Sequence, residues 1–374
     1  MKVFIIAGEP SGDVLGARVL AGLRTRFGDT LEVAGLGGEH MAAEGLQSIF
    51  PISDVAVMGL VEVLRRYWSL SNRIRLLQDT IEAYNPDVLI LIDAQGLSYR
   101  IAKHFAKAPF KKIQVVAPTV WAWKPERAWK IAKFLDHVAC LFPFEPAYFE
   151  PYNLNASFVG HPALAMKFGM SRSDARQSLG ILDDEDIWAA VLPGSRKTEI
   201  LQHLPILSRV ISAAYKKKKI SGVVVPVAST VREEVRRWAE KLKVPCKVLE
   251  SEYEKTNLPA ADLAVAASGT VSLELSAQGI PTILIYRFNP ITYAYIKRKL
   301  TIDFMGLINL LCNSEIQPEF KLNECRVADL QSKFEELASR SDLRSKMIAE
   351  QYAALKKLEP RDELEFGDRV AALI

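Results

Sequence analysis

The chain has few cysteines, little surplus charge and no long apolar run, and each shortage closes off a class of function. Nothing in its 374 residues approaches the roughly 18 consecutive apolar positions of a membrane-spanning helix. The first apolar stretch, Val3–Ala7, stops at Gly8-Glu9-Pro10 and is too short for a signal peptide. Cys140, Cys246, Cys312 and Cys325 contain no C-x-x-C pair and no histidine at ligand spacing, so a disulfide framework and a zinc site are both disfavoured. A net charge of +4 and a pI near 8.7 are too mild for a nucleic-acid binder. They remain compatible with an anionic substrate or an anionic membrane surface. Two nucleotide motifs are also missing. Gly8-Glu9-Pro10-Ser11-Gly12-Asp13 lacks the Gly-Lys-Ser/Thr ending of a P-loop, and Gly35-Leu36-Gly37-Gly38 is not G-x-G-x-x-G. An ATPase and a dinucleotide dehydrogenase both lose their main support.

What is present is a repeated architecture. Val3–Ala7, Leu31–Gly35, Asp87–Ile92 and Ile113–Val116 read as strands, and Asp13–Phe27 has helical apolar spacing. The second half offers Ile187–Leu192, Gly222–Val227, Cys246–Leu249, Asp262–Ala266 and Thr282–Tyr286. Strands that are continuously apolar, with helices between them, belong in parallel sheets covered on both faces. The expectation is an α/β chain of two doubly wound, Rossmann-like domains, residues 1–162 and 163–340, facing a central cleft. A helical tail, 341–374, is expected to fold back on the first domain.

The motifs fall at the carboxyl ends of these strands, where open parallel sheets bind ligands. Leu192-Pro193-Gly194-Ser195-Arg196 and Ala267-Ser268-Gly269-Thr270 each link a buried strand to a helix start. Such turns present backbone N–H groups and a positive helix end to phosphate. Arg196 in one and Glu274 in the other suit a nucleoside diphosphate, meeting phosphate charge and ribose hydroxyls respectively. In the first half, Asp93 closes the strand before it. It reads either as a general base of raised pKa or as the N-cap of the next helix. Gly8–Asp13 reads as a tight turn with Ser11 or Asp13 capping a helix, or as part of a site. His161, in a Gly-His-Pro turn, reads as a hinge hydrogen-bonder or substrate contact rather than a base. Trp121 and Trp123 are either core aromatics or a wall for a sugar or lipid. Val57–Trp68 and Ile291–Leu300 mix aromatic, aliphatic and basic residues, as a buried amphipathic face or a membrane-surface segment would. Lys216–Lys219 reads as a solvated helix end.

Together these residues resemble the lipid-A-disaccharide synthase family of GT-B glycosyltransferases. The ordered matches are Ala7–Asp13, Met58-Gly59-x-x-Glu62-Val63-Leu64, Ile92-Asp93-Ala94, Pro118-x-Val120-Trp121-Ala122-Trp123, Phe142-Pro143-Phe144-Glu145 and Gly160-His161-Pro162. They continue with Leu192–Arg196-x-x-Glu199-Ile200, Ser268-Gly269-Thr270-x-x-Leu273-Glu274 and Asn309-Leu310-Leu311. The resemblance implies inverting transfer of diacylglucosamine from its UDP derivative to the 6-hydroxyl of diacylglucosamine 1-phosphate, without metal, cofactor or covalent intermediate. Asp93 matches the family's proposed base. Gly194, Ser195, Arg196, Glu199, Ser268, Gly269, Thr270, Glu274 and Asn309 match the nucleotide-sugar side. Glu9, Ser11, Gly12, Asp13, Met58, Trp121 and His161 are expected on the acceptor side. A peripheral location on the cytoplasmic face of the inner membrane follows from the same resemblance, and a homodimer is left open.

One departure stands out. After Ile-Asp-Ala the family usually continues Pro-Asp-Phe, and this chain has Gln95-Gly96-Leu97. It bears on acceptor positioning more than on reaction class. Two rivals remain: a UDP-sugar 2-epimerase of the same architecture, and a catalytically impaired nucleotide-sugar-binding relative.

Overall fold

The structure, a computed structural model, describes residues 1–55, 67–122, 125–165, 170–251, 254–267, 270–287, 302–321 and 325–374. Met58, Ser268, Gly269, Trp123 and the stretch 291–300 lie outside the described residues. Contacts divide the chain into one unit of Met1–Pro162 with Leu358–Ile374, and a second of Ala163–Lys357.

In the first unit the chain runs β1 (Lys2–Ala7), α1 (Pro10–Phe27), β2 (Glu32–Leu36), α2 (Glu39–Ala43), α3 (Tyr67–Tyr84), β3 (Val88–Ile92) and α4 (Gln95–His104). It continues through β4 (Lys111–Val115), α5 (Arg127–Ile131), β5 (His137–Cys140) and β6 (Asn155–Phe158). Six parallel strands lie in the order β2-β1-β3-β4-β5-β6. The order reverses between β1 and β3, so the turns leaving these two strands flank the switch point where such sheets bind ligands. Every residue of β3 is buried. Alternate residues of a strand face opposite sides, so a continuous apolar run requires helices on both.

The second unit contains α6 (Arg172–Leu179), β7 (Trp188–Leu192), α7 (Lys197–Lys216), β8 (Gly222–Pro226), α8 (Arg232–Lys241), β9 (Cys246–Leu249), β10 (Leu263–Ala266) and α9 (Thr270–Ala277). Then come β11 (Thr282–Tyr286), α10 (Leu307–Cys312), β12 (Glu319–Lys321), α11 (Val327–Ser339) and α12 (Ser341–Leu355). Its parallel strands follow the order β12-β11-β10-β7-β8-β9, with the switch between β7 and β10. Ala189, Val191, Val223 and Val225 pack with Leu207, Val210 and Ile211 of α7, while Trp188, Ala190, Leu192 and Val224 pack on the opposite face. At the amino ends of these strands, buried Arg176 donates to Asp262 Oδ2 at 2.7 Å and to the Asp186 carbonyl at 2.8 Å. A buried arginine needs such a full set of acceptors.

The last helices divide differently from the expected 341–374 tail. Helix α12 stays in the second unit, where a Cβ on Gly279 would come within 2.6 Å of the Tyr352 hydroxyl. Helix α13 (Phe366–Ala371) instead packs on α1 in the first unit. A Cβ on Gly367 would sit 1.9 Å from the Arg18 carbonyl, so glycine sets this approach. Arg369 donates to the Val159 carbonyl at 3.1 Å and ties the returning segment to the end of β6. The sequence pattern passes over β5, β6 and β12, which have four, four and three residues.

Candidate functional site

The register of the first sheet aligns Ala7 with Ile92 and Ile92 with Val115. The next residues, Gly8, Asp93 and Val116, therefore form a row at the carboxyl ends of β1, β3 and β4. Three backbone positions here have positive φ without glycine: Asp93 at 50°, Ala94 at 39° and Val116 at 72°. Left-handed backbone costs about 1–3 kcal/mol per residue and persists only where surroundings enforce it. The enforcing bonds are visible. Asp93 N–H donates to the Val115 carbonyl at 3.0 Å, and Ser98 Oγ donates to the Asp93 carbonyl at 2.8 Å. Fully buried Gln114 donates through Nε2 to the Val115 carbonyl at 2.9 Å and the Asp93 carbonyl at 3.3 Å. Gly8 completes the fit, because a Cβ there would lie 2.7 Å from that of Ala94.

This scaffold leaves the Asp93 side chain half-buried, with Ser11 Oγ 3.5 Å from Oδ2. Burial raises its pKa, against the opposing hydrogen bonds from Ala94 N–H and Ser11. A carboxylate of raised basicity at a strand end has the properties of a general base. The alternative N-cap role falls to Ala94, the residue that immediately precedes α4. Glu9 is the N-cap of α1, exposed Ser11 lies in that helix's first turn, and a Cβ on Gly12 would lie 3.4 Å from the Ile92 carbonyl.

Three residues expected on the acceptor side are turned inward. Asp13 is 4% exposed and accepts from the N–H groups of Gly38, His40 and Met41 at 2.7, 3.0 and 3.1 Å. It anchors the loop after β2, with both carboxylate oxygens engaged there. Trp121 is a core aromatic rather than a wall: its indole N–H donates to Glu145 Oε1 at 3.0 Å, and its ring meets Phe144 edge-on. His161 is buried against Phe142, with ring centroids 5.3 Å apart, and burial lowers its pKa to about 4. The ring is therefore neutral near neutrality and packed inside the fold.

Glu145 is a residue the motif reading quoted but gave no role. It is 3% exposed, and its Oε2 accepts from Leu141 and Phe142 N–H at 2.9 and 3.0 Å. Burial raises its pKa to about 7 despite these donors. Only its place in the Phe-Pro-Phe-Glu run marked it in the sequence. The Trp121 partner is a tertiary contact with no local signature.

In the second unit, the turn after β7 is held by Glu199. Its Oε2 accepts from Ser195 N–H at 3.1 Å and Arg196 N–H at 3.3 Å, and its Oε1 accepts from Arg196 Nη1 at 2.9 Å. Gly194 has φ 116°, and a Cβ there would lie 2.7 Å from Glu199 Oε2. Glu199 thus shapes the turn instead of standing free for a nucleotide, whereas the Arg196 side chain remains 64% exposed. Thr230 Oγ1 donates to the Ser195 carbonyl at 2.6 Å. Helix α9 begins at Thr270, and Glu274 lies half-buried one helical turn inside.

His203 joins this turn to the loop after β11. Its Nδ1 lies 2.9 Å from the Pro193 carbonyl, and Arg287 N–H donates to Nε2 at 3.2 Å. A carbonyl only accepts, so the neutral Nδ1–H tautomer is required. Burial lowers the His203 pKa in agreement. Nothing in the sequence separated this histidine from an ordinary helix residue.

Asn309 differs from its expected role as a nucleotide contact. It is fully buried, and its Nδ2 donates to the Gln317 carbonyl at 2.6 Å and Glu319 Oε1 at 2.8 Å. Its Oδ1 accepts from Ile316 and Gln317 N–H at 2.8 Å each. All of its polar capacity is used inside the fold. A cavity of about 530 Å³ in this unit is lined by Asp262, Gly279 and Tyr352, at the amino ends of the strands, away from these turns. Among the described residues, no cluster of three or more His, Cys, Asp or Glu could hold a metal, and no helix is long and apolar enough to cross a membrane.

Comparison with known proteins gives these turns a context. Residues 3–365 match the family model described as lipid-A-disaccharide synthetase. A lipid-A-disaccharide synthase of Rhodospirillum centenum is 38% identical over 358 residues, covering 93% of this chain and 88% of that protein. By shape, UDP-GlcNAc 2-epimerase from Neisseria meningitidis, bound to UDP-GlcNAc, has a TM-score of 0.66 at 11% identity, covering 93% of this chain and 94% of its own. A glycosyltransferase from Rickettsia africae has a TM-score of 0.61 at 14% identity, covering 100% and 97%. At such identities the structural likenesses establish the GT-B architecture alone, and the epimerase shares no more than that. The sequence match runs through both units, and the chain belongs to the lipid-A-disaccharide synthase family.

Proposed function

We propose that the chain is a lipid-A-disaccharide synthase. It transfers 2,3-diacylglucosamine from its UDP derivative to the 6-hydroxyl of 2,3-diacylglucosamine 1-phosphate, with inversion. The observation that carries the mechanism is Asp93: a half-buried carboxylate of raised pKa, fixed by left-handed backbone at the switch point of the first sheet. The acceptor oxygen attacks the anomeric carbon as the bond to UDP breaks. The bonding electrons leave on the diphosphate, and the hydroxyl proton passes to Asp93. This in-line displacement gives the β-1′,6 linkage without a covalent intermediate.

The nucleotide side of the proposal belongs to the second unit. The exposed Arg196 side chain meets the diphosphate as charge develops on it. The helix start at Thr270 adds to this, and Glu274 takes the ribose hydroxyls. Donors already oriented toward a developing charge are often the largest catalytic contribution. Glu199 and His203 act on the nucleotide through the turns they hold.

A peripheral position on the cytoplasmic face of the inner membrane completes the proposal. Its support is the basic, apolar stretch 57–66 and Trp68, 80% exposed at the start of α3. Sedimentation with anionic vesicles at low salt, reversed by high salt, is the expected behaviour. A protein that stays in the supernatant contradicts it. The reaction itself is tested by product analysis of UDP-diacylglucosamine with and without the acceptor. UDP formed only in the acceptor's presence supports transfer, and an epimerised donor without acceptor supports the rival.

A further inference from the structure

Beside the Asp93 turn, the first unit contains a cavity of about 690 Å³. Its mouth includes Gln95 and Gly96, two and three positions after Asp93 in the chain. Among the described residues, five cations line it, Arg100, Lys103, Arg127, Lys130 and Lys133, and no carboxylate does. The floor is apolar: Tyr99 and Phe134 have ring centroids 5.8 Å apart, and Ile131 is buried beside them. Among the described residues, Arg100, Lys103 and Lys130 form no ion pair with a carboxylate. Five positive charges around an apolar floor are self-repulsive in the empty protein, so they select for an anionic ligand with a hydrocarbon part.

The departure from the family pattern falls at this mouth. Gly96 stands where the family usually has Asp, and a Cβ at this position would meet open space. The chain has therefore removed a negative charge next to the cations and left room where a side chain would stand.

We infer that this cavity is the acceptor subsite: the cations hold the 1-phosphate of the diacylated sugar, and an acyl chain lies on the Tyr99–Phe134–Ile131 floor. The inference rests on the transferase reading and adds the residues that recognise the acceptor. Cations at helix ends have a competing, purely structural use. Lys103 and Lys130 lie in the last turns of α4 and α5, where positive charge complements the helix dipole. A structural role changes melting slightly and leaves ligand affinity alone.

The test is acceptor binding by isothermal titration in neutral detergent micelles, for the wild type and for Lys103→Glu and Lys130→Glu. Both lysines are exposed, and Lys103→Ala and Lys130→Ala serve in their place if a reversal lowers the melting temperature. Losing a charge-assisted phosphate contact is expected to weaken acceptor binding about tenfold, with UDP affinity within about twofold of wild type. Diacylglucosamine lacking the 1-phosphate should bind wild type and variants alike. Unchanged acceptor affinity in both variants overturns the inference, as does an equal loss with the unphosphorylated sugar. A loss seen only on anionic vesicles, and absent in neutral micelles, also overturns it, since the cations then face a lipid surface. Binding is read without turnover, so the two readings fail separately. A protein that binds the acceptor through these lysines and makes no disaccharide contradicts the proposed function alone.

Discussion

Asp93 carries opposite consequences for activity and stability. Its carboxyl pKa is raised by burial, so the folded value lies above the unfolded one. Such a group favours folding below its unfolded pKa, and that contribution is lost as pH rises through the folded pKa. Once ionised, Asp93 is therefore a burden on the fold. Asp93→Asn is expected to cut turnover by a factor on the order of 10² or more, to leave UDP affinity intact and to raise the melting temperature. Near-normal turnover removes the base from Asp93, and a lower melting temperature contradicts the burial argument. Glu145 follows the same sign over a defined window. Its pKa rises from 4.5 to about 7, so its contribution is complete below 4.5 and lost as pH rises through about 7. Glu145→Gln is expected to flatten that part of the stability–pH curve, read by thermal melts across the range. Asp93 was legible because a continuous apolar strand ends on it. The engagement of Asp13 and Asn309 was not, since their partners at Gly38–Met41 and Gln317–Glu319 meet them through loop geometry that no local pattern encodes.

At the scale of elements, the turns act as sprung units, each held by one or two side chains. Gly8→Ala places a methyl 2.7 Å from the Ala94 Cβ and must displace the Asp93 turn. Overpacking of this kind costs about 1–3 kcal/mol, and activity should fall with it while UDP binding persists. In the second unit, Glu199→Ala frees the Ser195 and Arg196 N–H groups and the Gly194 turn. The donor KM should rise about tenfold with the acceptor KM unchanged, the pattern of lost ground-state binding. Steady-state kinetics with each substrate varied in turn reads both outcomes. The strand–turn–helix plan was visible because its strands are apolar throughout. The positive φ values at Asp93, Ala94 and Val116 were not, since none of them is a glycine. They arise from the row of hydrogen bonds through Gln114 and Ser98, which only the folded sheet assembles.

At the scale of the molecule, the chain does not visit its two α/β units in simple succession. The final segment from Leu358 returns to the first unit, with α13 on α1 and Arg369 on the end of β6. Truncation after Lys357 should therefore destabilise the Asp93-bearing unit and abolish transfer, while UDP still binds the second unit. A truncated chain with full activity contradicts this division. Sequence periodicity could not place the break, because α12 before it shows little amphipathic contrast and α13 after it has only six residues. The glycine pair Gly22 and Gly367, whose close approach defines the return, becomes meaningful only in three dimensions. The central claim is the joining of two diacylated sugars with inversion. Proton NMR of the products from UDP-2,3-diacylglucosamine, incubated with and without 2,3-diacylglucosamine 1-phosphate, tests it most directly. The account predicts a β-linked disaccharide 1-phosphate and UDP only when both are present. An epimerised donor, an α-linked product or acceptor-independent release of UDP would contradict it.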